Sequence, residues 1–177
     1  MKIKTIEFDP FDPTSLKRVL QLLIENDLLE GADLRGVNLS GALLEDANFY
    51  GAHLNRANLN GADLTNADLI EADLTGAQLW DANLYEVRLR GASLKRADLT
   101  GADLTGANLE NANLTNANIF CADLRHADLK EADLTNANLE GAYLNRANLT
   151  GADLRRANLT GASFSGADLT GPGSDPE

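Results

Sequence analysis

The chain has 177 residues, a formal net charge of −12 and a single cysteine, Cys121. That length suits one domain, and a single cysteine excludes an internal disulfide and therefore a secreted disulfide scaffold. Hydrophobic residues make up 44% of the chain but aromatic residues only 5%, so an ordinary core of large side chains is not expected. The acidic balance argues against direct nucleic-acid binding, which needs a basic surface.

The first 30 residues differ from the rest of the chain. Asp12 is a candidate N-cap with Pro13 at the first helical position. Residues 14–26 carry an apolar stripe at helical spacing: Leu16, Val19, Leu20, Leu23 and Ile24. We predict that residues 1–30 form an extended segment and an α-helical cap on the first open end of the remaining chain. No signal-peptide hydrophobic region precedes the stripe and no apolar run can span a bilayer, so we expect a cytoplasmic protein outside the membrane.

From Ala32 to Gly171 the sequence repeats every five residues. Leu34 begins a series of 28 centre residues, one at every fifth position up to Leu169, and 25 of them are Leu. The three exceptions are Phe49, Ile119 and Phe164. Ala stands two residues before nearly every centre, and Asp or Asn lies between the two in 21 of the 28 pentads.

This pattern favours short extended segments joined by corners. In an extended backbone, Ala and the centre residue lie on one side and the Asp or Asn between them on the other. The two residues after the centre, often Thr-Gly or Thr-Asn, can form a turn. A helix is disfavoured because a period of five drifts around a helical turn and Asn, Asp and Gly have low helix propensity. The chain should therefore wind into coils, with Leu and Ala inside, stacked about 4.8 Å apart.

The run resembles the pentapeptide-repeat family, whose A(D/N)Lxx motif recurs without interruption through residues 31–171. The most regular part, residues 97–116, reads ADLTG ADLTG ANLEN ANLTN. The resemblance implies an all-β fold, a right-handed quadrilateral β-helix with four pentads per coil and therefore about seven coils. Residues 31–171 would form this β-helix, after the N-terminal segment of residues 1–30.

The C-terminal end of the predicted coil stack lacks an obvious cover. Residues 172–177 are turn-forming and charged, and we expect them to be disordered. Phe164 and Leu169 would then lie at an open end with unpaired backbone groups, which favours end-to-end association. These two residues are the candidate contact of a homodimer.

Outward-facing apolar residues are the candidate interaction surface. They are Trp80, Tyr85, Phe120, Tyr50 and Ile70. With four pentads per coil, Trp80 and Phe120 share the one side of the coil that has no basic residue, two coils apart. A cluster of Trp and Tyr on a rigid surface is typical of a protein interface, whereas singly exposed aromatic residues need no functional explanation.

Two functions are compatible with these features. The first is a non-catalytic structural or protein-interaction module, whose partner is another protein of unknown identity. The second, implied by the family resemblance, is a DNA mimic that modulates DNA gyrase or another topoisomerase by presenting an acidic rod. The predicted rod is about 34 Å long, and duplex DNA of that length carries roughly 20 charges. The side of the coil that begins at Leu34 is net basic: it carries Arg35, Arg56, Lys95, Arg96, Arg155 and Arg156.

No pattern indicates catalysis, a metal or a cofactor. His53 and His126 fall on different sides of the predicted coil, so they form no shared metal site or triad. The Asp and Asn ladders lack the glycine pairs of calcium-binding nonapeptide repeats. Cys121 occupies a turn position with no neighbouring His, and its role is open. We expect a chain that is not an enzyme and binds no cofactor.

Overall fold

A computed structural model describes residues 21, 23–24 and 27–171. Residues 21, 23 and 24 are helical, and the remainder of the predicted N-terminal cap lies outside the described residues, as does the tail 172–177. Leu23 is buried, and Ile24 packs against the same core. After this helical turn, the Leu28 N–H donates a hydrogen bond of 2.9 Å to the Leu23 carbonyl oxygen. These few residues therefore cover part of the first coil.

The rest of the described chain is a coil with a twenty-residue register. Single bridge residues occur at every fifth position from Asp33 to Asp168, and the described part contains no longer strand. All 24 bridges are parallel, and each joins residues twenty apart, beginning with Asp33 and His53 and ending with Asn148 and Asp168. Each coil therefore holds four pentads. The coil geometry already includes Leu29, which is buried at a centre position one pentad before Leu34.

The backbone hydrogen bonds of one pentad explain why the repeat has five positions. The centre amide donates to the following coil, as from Leu59 to Gln78 at 2.7 Å, and the preceding amide donates to the previous coil, as from Asn58 to Val37 at 2.9 Å. The second residue after the centre also donates to the following coil, and the next Ala closes the corner with its own centre carbonyl. Only the amide directly after the centre is left without a backbone acceptor.

The Asp or Asn side chain satisfies that remaining amide. In 20 of the 21 pentads with Asp or Asn before the centre, its Oδ1 accepts the hydrogen bond from the residue after the centre. This is an Asx turn, the local bond that these side chains favour. The preference for Asp and Asn is thus a backbone requirement and does not indicate a ligand.

The core is one continuous ladder of Leu and Ala. Centre residues from Leu39 to Leu149 are at most 1% exposed, and the Ala residues beside them are equally buried from Ala47 to Ala152. The ladder opens in the last described coil, where Leu154 and Phe164 are half-buried and Leu169 is 40% exposed. We name the four sides of the coil by their first repeat centres: the Leu34, Leu39, Leu44 and Phe49 sides.

The inward and outward assignment predicts the cost of two neighbouring substitutions. Leu104 is 1% exposed, so Leu104→Ala should leave a cavity and cost about 2–5 kcal/mol of unfolding free energy. Thr105 faces outward, and the hydrogen bond of 2.9 Å from its backbone amide to Asp103 Oδ1 does not depend on its side chain. Thr105→Ala should therefore cost less than about 1 kcal/mol of unfolding free energy. Urea denaturation of both variants measures the difference. Equal losses of stability would contradict the assignment.

Candidate protein-interaction surface

Three of the predicted aromatic residues are exposed on two adjoining sides of the coil. Trp80 is 53% exposed, Tyr85 42% and Phe120 38%. Because the register is twenty residues, Trp80 and Phe120 occupy the same ladder of the Leu39 side, with Thr100 in the coil between them. Tyr85 follows Trp80 in the same coil, on the adjoining Leu44 side. The structure therefore places Trp80 and Phe120 in one ladder and Tyr85 one pentad further round the coil, just before the corner residue Glu86.

The other two predicted residues lie elsewhere, and one of them is not exposed. Tyr50 and Ile70 share a ladder of the Phe49 side, opposite the Leu39 side. Ile70 is only 6% exposed, so its prediction as part of an exposed surface is wrong. In its ladder, Tyr50 and Arg90 stand one coil to either side, and long neighbours can cover an outward aliphatic side chain. Tyr50, 40% exposed, donates a hydrogen bond of 3.2 Å to Glu71 Oε2.

The two tyrosines differ from Trp80 and Phe120 in their polar contacts. The hydrogen bond to the Glu71 carboxylate raises the pKa of Tyr50, and a hydrogen bond with Glu86 raises the pKa of Tyr85. Each hydroxyl is thus engaged by an acidic residue of this chain. Trp80 and Phe120 form no side-chain hydrogen bond within the described residues, which leaves both rings available to a partner.

The backbone at Trp80 and Phe120 lacks the Asx bond, as it does in the six other pentads that have neither Asp nor Asn before the centre. Gln78 stands where other pentads have Asp or Asn, and the Trp80 amide instead donates to Asn60 Oδ1 of the previous coil at 3.0 Å. At Phe120 the Oδ1 of Asn118 accepts a hydrogen bond of 3.0 Å from the Asn138 side chain and none from the Phe120 amide. Both outward aromatic pentads of the Leu39 side therefore lack the usual Asx bond.

The corner residues beside these rings lean along the coil axis. Every described corner residue has a positive φ, with 52° at Asp81 and 55° at Cys121. A Cβ atom added to Gly101 would lie 2.5 Å from Asp81 Oδ1, and one added to Gly141 would lie 3.0 Å from Cys121 Sγ. Glycine one coil further on thus leaves room for each side chain. Asp81 is absent from the site residues predicted by sequence, although the glycine twenty residues later was a visible signal.

Charge is unevenly distributed around the coil. On the Leu34 side, Arg35 and Arg155 form bidentate ion pairs with Asp33 and Asp153. These hydrogen bonds lower the pKa of each aspartate to about 2. Four further cations of that side form no ion pair within the described residues: Arg56, Lys95, Arg96 and Arg156. The charged residues of the Leu39 side are all acidic: Asp81, Asp98 and Glu140.

The last described coil contains backbone amides that have no acceptor among the described residues. The amides of Leu159, Gly161, Phe164 and Gly166 occupy positions that donate to the following coil elsewhere. Within the described residues these four amides have no backbone acceptor. Half-buried Phe164 and exposed Leu169 lie in the same coil.

Other kinds of site are not formed by the described residues. Across 21, 23–24 and 27–171, no three His, Cys, Asp or Glu side chains are grouped so as to hold a metal ion. Within that same part of the chain, no helix has the length and apolar character needed to cross a membrane. Cys121 is exposed and unpaired with another cysteine.

Comparisons with known proteins agree with this architecture. The family model for pentapeptide repeats matches eight copies between residues 28 and 171. The solved structure of HetL, a pentapeptide repeat protein involved in heterocyst differentiation regulation in the cyanobacterium Nostoc sp. strain PCC 7120, is 39% identical. The match covers 80% of this chain and 69% of HetL, with a TM-score of 0.36.

Two further solved structures are similar to the chain at lower identity. Rfr23, a pentapeptide repeat protein from the cyanobacterium Cyanothece 51142, is 25% identical, covering 86% of this chain and 98% of Rfr23, with a TM-score of 0.34. QnrB1, a plasmid-mediated fluoroquinolone resistance protein, is 23% identical in a trypsin-treated form, covering 74% of this chain and 72% of that one, with a TM-score of 0.49. No curated protein matches the sequence significantly. The chain belongs to the pentapeptide-repeat family, whose members form right-handed quadrilateral β-helices.

Proposed function

We propose that this chain is a non-catalytic protein-interaction module that contacts its partner through Trp80, Tyr85 and Phe120. The single observation that carries the proposal is the exposure of these three rings on two adjoining sides of the coil. Outward positions of this repeat are otherwise filled mostly by Thr, Asn and charged residues. Trp and Tyr are the residue types that most often dominate binding energy at protein interfaces.

The family supports the non-catalytic part of this proposal. Pentapeptide-repeat proteins are generally structural or interaction proteins, and HetL is involved in a regulatory process. The described part of this chain has no group of titratable side chains that resembles a catalytic site. The cytoplasmic location stays a prediction.

The proposal predicts the result of a matched pair of double variants. Trp80→Ala combined with Phe120→Ala should abolish retention of the partner in a pull-down from lysate of the source organism, with an unchanged melting temperature. The control combines Leu43→Ala with Tyr143→Ala, which removes side chains of similar exposure, 61% and 52%, from the Leu44 side. Partner retention by the aromatic variant at the level of the control would refute the proposal.

A DNA mimic is the second candidate, and its acidic net charge of −12 is the feature that favours it. The unpaired cations Arg56, Lys95 and Arg96 oppose it, because a surface that replaces duplex DNA should present phosphate-like charge on the sides that contact the enzyme. We therefore expect the purified chain neither to inhibit gyrase supercoiling nor to protect gyrase from a fluoroquinolone at micromolar concentration. Either effect would establish the second function over the first.

We further propose that two copies associate end to end through Phe164 and Leu169. Open backbone donors beside exposed apolar side chains can pair with a second copy. Light scattering should report a dimer, and Leu169→Lys should yield a monomer because it buries an unpaired charge in the contact. Leu43→Lys, which alters an exposed Leu far from that end, should leave the dimer intact. A monomeric wild-type chain at its highest soluble concentration would contradict the association.

A further inference from the structure

We propose that the surface around Gly101 receives an arginine side chain from an extended basic segment of the partner, held between Trp80 and Phe120 and paired with Asp81. This inference rests on the proposed function and specifies the chemistry of the partner. It depends on three features of the described residues: the gap between the rings, the free carboxylate and the charge around them.

The gap results from the register of the coil. Trp80 and Phe120 are two coils apart, so their backbones are separated by about 10 Å. Thr100 lies in the coil between them, and its hydroxyl is already engaged: it donates a hydrogen bond of 2.6 Å to Asp98 Oδ1 and accepts one of 2.8 Å from Asn118. The corner beside Thr100 is Gly101, which adds no side chain. A flat group can therefore lie between the two rings.

A carboxylate borders this gap. Asp81 Oδ1 lies over Gly101, where an added Cβ atom would approach it to 2.5 Å. Within the described residues, the Asp81 side chain forms no ion pair or hydrogen bond. This distinguishes Asp81 from Asp33 and Asp153, whose arginines lie in their own pentads. Asp81 is thus free to accept a charged hydrogen bond from outside the chain.

The surrounding charges favour a cation. The Leu39 side carries three acidic residues and no basic one. Of the nearest cations, Arg96 stands at the opposite corner of this side, next to the Leu34 side. Arg125, on the Leu44 side, is held by a bidentate ion pair with Asp123. A guanidinium from a partner would therefore meet an unopposed carboxylate.

Arginine fits both parts of the site better than the alternatives. Its planar guanidinium stacks on aromatic faces, preferably on Trp, and bonds a carboxylate through two parallel N–H groups. An apolar partner would use the rings but leave Asp81 desolvated and unpaired, which is unfavourable. An extended segment laid along the coil axis would also bring alternate side chains to the same surface, within reach of Asp98 and Glu140.

A direct binding experiment tests this inference without the natural partner. The probe is a short blocked Gly/Ser peptide with three arginines at alternate positions, and its matched control carries citrulline, which is neutral and nearly isosteric. Because Trp80 is the single tryptophan of the chain, fluorescence excited at the long-wavelength edge, where tyrosine does not absorb, reports on this site. We expect the arginine peptide to change that fluorescence, to bind at least about tenfold more tightly than the citrulline peptide, and to weaken with added salt.

Variants locate the binding, with fluorescence anisotropy of a labelled probe as the readout. Trp80→Ala and Phe120→Ala should each weaken it by about 2- to 30-fold, and Asp81→Asn by roughly 2- to 5-fold. Glu45→Gln removes an exposed acid from the Leu44 side and should change nothing. If Glu45→Gln weakens binding as much as Asp81→Asn does, the peptide is attracted by the overall negative charge of the chain, and the proposed site is refuted.

Other outcomes separate this inference from the proposed function. Equal binding of the arginine and citrulline peptides would refute the recognition of a cation, even if the aromatic variant still fails to retain its partner from lysate. If the chain self-associates and Trp80→Ala abolishes the self-association, the occupant of this surface is a second copy of the chain, and the inference of a basic segment is refuted. If the aromatic variant keeps its lysate partner, the proposed function fails whatever the peptides do.

Discussion

The axial hydrogen bonds between residues about twenty positions apart are the interaction on which the rest of this structure depends. Three of the five amides in a pentad participate in them directly, the fourth closes a corner and the fifth is satisfied by an Asp or Asn side chain. Because so little backbone is left free, each coil must repeat the shape of the one before it. An inserted residue would displace all the bonds of a coil, which explains why a repeat of this regularity extends through the described chain.

This constraint also determines the core. The four sides of each coil enclose a narrow interior, and an extended pentad sends only Ala and its centre residue inwards. Leu fills that space next to Ala at almost every level, and the larger Phe49 is accommodated near the first coils while remaining fully buried. Such an interior is quasi-one-dimensional, since each coil contacts only its two neighbours. The stability of an end coil such as the one that holds Leu169 therefore depends on whatever covers it.

Most of the fold could be predicted because it is written in local periodicity. The five-residue period, the inward Leu and Ala and the outward Asp and Asn all follow from backbone geometry. The number of pentads per coil does not, since corners of slightly different angle would close a coil of another size; the family resemblance supplied it. The surface was less predictable. Ile70 is outward by pattern yet buried, and the position of the Asp81 carboxylate is permitted by Gly101. In both cases the surroundings of an outward side chain are set by residues twenty positions away.

The same dependence makes departures from the repeat informative. A pentad that keeps the consensus satisfies its own backbone and adds a polar side chain to a uniform ladder. Gln78 does not, and the Trp80 amide must be satisfied from Asn60 in another coil. Asn118 keeps the consensus residue and bonds Asn138 along the axis, and the Phe120 amide has no bond in the described part of the chain. Two pentads of the one purely acidic side thus give up a local hydrogen bond and present an aromatic ring. The proposed recognition of a cationic partner accounts for the exposed rings and for the free carboxylate of Asp81 next to Trp80.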